Sequence, residues 1–179
     1  NLTAGNSLTL NGVVTSGDQD YGAATAIFGG GTYRSDLGTI TGVNVGQTNL
    51  NVSTVFEAEQ NIRFGAIDPA SGGQTLSFIA HSGEIRLNGP VGGFTAPDPL
   101  ALQAATAITA AFLRSNGDLD LTAPIINLNA TSYRAGGAFT ATGNVNFGGP
   151  SVVTADGALT VTGSVDLLGS AAPDSAIGF

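Results

Sequence analysis

Three stretches near the C-terminus recur at a constant spacing of about 20 residues, and this recurrence limits the fold more than any single side chain. Gly117, Gly137 and Gly157 fall in line, followed by Leu119, Phe139 and Leu159, then Leu121, Ala141 and Val161, then Thr122, Thr142 and Thr162, then Ile125, Val145 and Val165. Inside each unit apolar residues alternate with polar or small ones, a Gly or Thr-Gly turns the chain, and a second short alternating segment follows. One such unit cannot bury its own apolar face. Stacked copies bury a continuous face, with strands about 4.8 Å apart. The spacing therefore predicts an all-β chain built as a parallel β-helix, or β-solenoid, in which each repeat is one rung.

Fainter copies carry the template towards the N-terminus. SLTLNGVV (7–14) and EIRLNGPV (84–91) share a pattern that places Leu8 against Ile85 and Leu10 against Leu87, and NIRFGAI (61–67) begins a further copy, with Ile62 one repeat before Ile85. Rungs of about 20–23 residues then span the whole chain, 1–179, as a single domain. The gap from Ile85 to Leu119 exceeds one coil and falls short of two. A lengthened rung or side loop is expected at 92–100, where the Pro-containing FTAPDPL lies, and a short polar tail at 170–179. LALQAATAITAAFLR (100–114) has helical propensity, but it also scans as two strands in phase with its neighbours and is read as strand.

Composition removes several functions. Thirteen acidic residues face five arginines and no lysine, for a formal net charge of −8. A phosphate backbone or an anionic membrane surface demands the opposite sign, and no apolar run is long enough to span a bilayer, so neither nucleic acid nor membrane insertion is expected. The absence of Cys and Met suits a secreted or cell-surface protein of a bacterium. A chain that starts at Asn1 with no visible signal peptide reads as a processed product or a fragment.

Catalytic raw material is thin. His81 is the single histidine, in FIAHSGEI beside Ser82 and near Glu84, where sequence neighbours point in different directions and do not form a nucleophile, base and orienting acid. Asp18 with Asp20, Glu57 with Glu59, and Asp118 with Asp120 each share a strand face, as paired carboxylates of a polysaccharide-cleaving enzyme would. In the next rungs Ala138 and Thr140 replace Asp118 and Asp120, so no acidic cleft accumulates. No calcium-binding Gly-Gly-x-Gly-x-Asp nonapeptide occurs, FGGGTYRS (28–35) lacks the lysine of a phosphate loop, and the Thr-x-Thr ladder of 140/142 over 160/162 stops at Asp120. No catalytic residue, cofactor or metal is assigned. Tyr21, Tyr33 and Tyr133 are candidate surface contacts, although their recurring contexts (QDYGAA, GTYRSD, TSYRAG) equally fit a stacked rung position.

The run GQTLSFIAHSGEIRLNGPVGGFTAPDPLALQAATAITA (73–110) resembles the repetitive passenger regions of filamentous haemagglutinin-like and autotransporter-type bacterial exoproteins, through TLSF, GEIRLNGPVGG and PLALQAATAI. The resemblance implies a right-handed parallel β-helix exported to the cell surface for adhesion or for building a fibre or layer. It implies no catalytic residues. Expected partners are further copies, end to end or side by side, or the continuation of a longer solenoid, together with a host-cell or glycan receptor. The alternative is a carbohydrate-binding or carbohydrate-cleaving β-helix.

Overall fold

The computed structural model describes residues 1–167, and the expected tail at 170–179 lies outside the described residues. The chain winds into a parallel β-solenoid of about 8 turns, with 63% of the described residues in strand. Every strand pairing is parallel, each strand lying on the one a coil earlier. Among the described residues no helix occurs, and the Ala-rich 100–114 stretch forms strands Leu100–Ala104 and Ala107–Ser115. Its neighbours settle this: Leu100 and Leu102 lie on Leu76 and Phe78, so the strand completes a ladder that a helix would leave unpaired.

Each coil has three faces. On the first, Gln19, Ile40, Ile62, Ile85, Ile108, Ile126, Val145 and Val165 stack in register, one from each successive coil. The second begins with Leu8, Ala26, Thr48, Ile67, Val91 and Leu113 and continues through Tyr133 and Val153. The third carries Val13, Tyr33, Phe56, Phe78, Leu102, Leu121, Ala141 and Val161. Alternation along each strand sends these residues inward and their neighbours to solvent, which is the period-two pattern visible in the sequence.

The interior changes along the axis. In the N-terminal half aromatic rings fill it: Phe28 meets Tyr33 edge-on at 4.8 Å, and Phe56 stacks on Phe78 at 5.4 Å. Gly42 makes room for this, because a Cβ there would lie 2.3 Å from the Phe64 ring. From Ile85 to Leu128 Leu, Ile and Ala take over, and buried rings return at Tyr133, Phe139 and Phe147.

Two register expectations are corrected. Val145 lies on Ile126, not Ile125, which pairs with Asn144 and is 43% exposed. One coil rounds this corner with Ala123 and Pro124, whereas the next uses Gly143 alone at φ +138°, pressed so close that a Cβ would overlap the Ala123 carbonyl. Likewise Leu8 belongs to the second face and Ile85 to the first, so the shared LNG pattern does not mark equivalent positions. The long gap from Ile85 to Leu119 compares positions on different faces, since Leu119 stacks on Leu100 and Ile85 pairs with Ile108. Residues 92–99 run without strand between the second and third faces, held by Phe94 N–H donating to Asp68 Oδ1 and Asp98 N–H donating to the Gln74 carbonyl.

Candidate functional site

The polar residues that carry chemistry in the sequence lie mostly at the corners between faces, and there they connect one coil to the next. Asp18 Oδ1 accepts the Thr39 N–H at 2.8 Å, Asn61 Oδ1 the Glu84 N–H at 2.9 Å, and Asp118 Oδ1 the Ala138 N–H at 2.8 Å. In each case the residue before the donor is glycine, and a Cβ on Gly38, Gly83 or Gly137 would fall 2.2 to 2.4 Å from that same side-chain oxygen. The side chain of one coil thus occupies the space left by a glycine of the next. This contact explains Gly38, Gly83 and Gly137, a signal that the sequence holds as an Asx followed about one coil later by Gly-x. The same packing places Asn11 under Gly29 and Asn129 under Gly148.

The carboxylate pairs are divided between these tasks. Asp118 and Asp18 serve as links, and Asp120 points outward beside Thr140, which itself pairs with Thr160. Glu57 and Glu59 border a surface hollow of about 380 Å³ lined also by Arg34, Ser35, Asp36 and His81. In it Arg34 Nε lies 2.6 Å from Asp36 Oδ1, and His81 Nε2 lies 2.8 Å from Glu57 Oε1 on the coil before. Ser82 does not join His81: its hydroxyl donates to the Glu59 carbonyl at 2.6 Å, while Glu84 pairs with Arg63 and Arg86. Nucleophile, base and acid are therefore not brought together. No group of three or more His, Cys, Asp or Glu able to hold a metal ion is present among the described residues.

The three tyrosines are not surface contacts. Tyr21, Tyr33 and Tyr133 are all fully buried, each on a different face, and their hydroxyls are satisfied inside the coil. Tyr21 Oη donates to Gln19 Oε1, Tyr33 Oη to the Leu10 carbonyl at 2.7 Å, and Tyr133 Oη accepts the Ala130 N–H at 2.6 Å. Burial pushes the Tyr133 phenol up to about 12 and raises those of Tyr21 and Tyr33 as well. Their similar sequence contexts reflect strand positions that need a large side chain with a polar tip. Among the described residues the aromatic that does face solvent is Phe94, 88% exposed on the 92–99 segment. No sequence signal marks it, because a single Phe among Gly and Pro carries no period.

The chain matches no protein-family model, no curated protein and no solved structure. What stands is the architecture, a parallel β-solenoid, and the likeness to haemagglutinin-type passengers rests on the sequence motifs alone.

Proposed function

We propose that this chain is a non-enzymatic structural or adhesive β-solenoid of a bacterial surface or secreted assembly, either a subunit of a fibre or layer or a stretch of a longer adhesin. One observation supports this reading above the others. The polar contacts that join Asp18, Asn61, His81, Ser82, Arg63, Asp118 and Arg134 to their partners each reach one coil along the solenoid. These side chains are distributed along the axis as coil-to-coil links, the arrangement expected of a rod. Further coils, from a longer solenoid or from another copy, would extend the same ladder.

The test is immunogold labelling of intact, non-permeabilised source cells together with electron microscopy of the native material. The proposal expects external label and slender particles, with this segment contributing about 38 Å of length at about 4.8 Å per coil. Label confined to the cell interior would overturn it. Specific binding on a glycan array that disappears when hollow residues Glu57 and His81 are replaced would instead favour the carbohydrate-binding alternative.

A further inference from the structure

The sequence contains three Asn-Gly dipeptides, at 11–12, 88–89 and 116–117. Such a pair can rearrange without an enzyme. The glycine backbone nitrogen attacks the Asn Cγ, a C–N bond forms, the Cγ–Nδ2 bond breaks and ammonia leaves. Water then opens the five-membered imide at either carbonyl, giving aspartate or isoaspartate. Glycine permits the reaction because it lacks a Cβ and rotates freely about its backbone bonds. The reaction needs that nitrogen free and the Asn side chain accessible; Asn11, Asn88 and Asn116 are all exposed, so the sites differ in how the glycine is held.

At the first site the Gly12 N–H donates to the Gly30 carbonyl at 3.2 Å, and the Asn11 amide is packed against Gly29. At the second, Asn88 and Gly89 form the irregular step between Leu87 and Pro90 of strand Ile85–Val91, and what holds Gly89 is its packing onto the coil below, where a Cβ would come within 2.5 Å of the Ala66 nitrogen. At the third, Asn116 is exposed and Gly117 follows it outside any strand. Among the described residues the Gly117 N–H has no hydrogen-bond acceptor, unlike its counterparts in the next coils, since Gly137 N–H donates to the Gly117 carbonyl and Gly157 N–H to the Gly137 carbonyl. The exception has a local cause. The coil beneath Gly117 is the 92–99 segment, which offers its Pro97 carbonyl to the Asn116 N–H and turns the Asp98 carboxylate towards Gly117. The Asn116 side chain is held by one long contact, Nδ2 donating to the Ala96 carbonyl at 3.3 Å.

We propose that Asn116 is the site of spontaneous deamidation in the folded protein. The product loses the amide that reaches Ala96 and places a third carboxylate between Asp98 and Asp118, so the modification loosens the attachment of the 92–99 segment to the next coil.

Peptide mapping by mass spectrometry, after incubation of the whole chain in mildly alkaline buffer, tests this. In native protein Asn116 is expected to convert at least about fivefold faster than Asn11, the ratio that one retained hydrogen bond of about 1 kcal/mol corresponds to at ~1.4 kcal/mol per tenfold. Asn88, whose Gly89 is pressed against the Ala66 nitrogen, is also expected to be slower than Asn116. In urea, where the chain is unfolded, the three rates should converge. Conversion of Asn11 or Asn88 as fast as Asn116 in the native state, or an Asn116 that stays intact while converting in urea, would overturn the assignment.

Discussion

Removing the Asp118 carboxylate and adding a methyl to Gly137 are coupled perturbations, and the coupling can be worked out from the corner they share. Asp118 Oδ1 accepts the Ala138 N–H at 2.8 Å, and a Cβ on Gly137 would lie 2.2 Å from that oxygen and 3.1 Å from the Asp118 nitrogen. Asp118→Ala removes one charge-assisted hydrogen bond at an exposed corner where water replaces part of it, a loss of about 1 kcal/mol. Gly137→Ala in the native background forces the carboxylate aside and so loses the same bond, offset by about 0.5 kcal/mol from the smaller entropy of the unfolded chain. With Asp118 already replaced by Ala, the methyl displaces nothing polar and the entropic gain remains. The double mutant should therefore be more stable than the sum of the single losses by about 1 kcal/mol. Urea unfolding followed by far-UV circular dichroism measures all four corners of this cycle. Additivity within about 0.3 kcal/mol, the range found for independent sites, would refute the claim that aspartate and glycine form one contact.

Three other outcomes follow from the same physical reasoning. Thr48 is buried between Ala26 and Ile67 and its hydroxyl finds no partner among the described residues, so the near-isosteric Thr48→Val should raise stability by about 1 kcal/mol in the same urea assay; a loss would show that the hydroxyl is bonded. Ala138 occupies, one coil on, the position of Asp118, with Gly157 stacked above it, so Ala138→Asp should capture the Ala158 N–H and gain about 1 kcal/mol, and an unchanged midpoint would count against a transferable link. The tyrosines set an alkaline limit. Their folded phenols titrate above the ordinary 10.0, so the stability they contribute is complete below pH 10 and declines as pH rises from there through the Tyr133 value of about 12. Phenolate absorbance should accordingly appear together with loss of β circular dichroism, and its appearance near pH 10 in a still-folded protein would contradict the burial.

The solenoid is legible in the sequence because its cause is periodic. Alternation within Leu119–Leu128 and Phe139–Phe147, repeated at nearly constant spacing, specifies both strand and stacking, and the step from Ile62 to Ile85 is found in the structure as in the sequence. Register is less legible where corners differ in length. A Pro-containing corner and a single-glycine corner shift Ile125 out of the core by one position, and a fixed period cannot anticipate that. The match of SLTLNGVV to EIRLNGPV misleads for a related reason: two faces of one coil both read apolar, x, apolar, so local likeness does not identify the face. The tyrosines are left open between surface and rung by sequence reasoning because an amphipathic ring fits a surface and a core equally well on composition, and only the carbonyls and amides within the coil decide between them. The corner links are present in the sequence as Asp18 with Gly38, Asn61 with Gly83 and Asp118 with Gly137, but their spacings are unequal and become recognisable only once the length of each coil is known.

The stacking register is the claim on which the rest depends, and disulfide formation between engineered cysteines in this Cys-free chain measures it directly. Arg86 and Thr109 are register partners on the first face, their strands lie at the normal separation of about 4.8 Å, and a disulfide needs Cα atoms roughly 4.4 to 6.8 Å apart. Arg86→Cys with Thr109→Cys should cross-link rapidly under mild oxidation, whereas Arg86→Cys with Asn127→Cys, two coils apart, should not. Cross-linking of the distant pair, or failure of the adjacent one in a folded protein, would contradict the solenoid described.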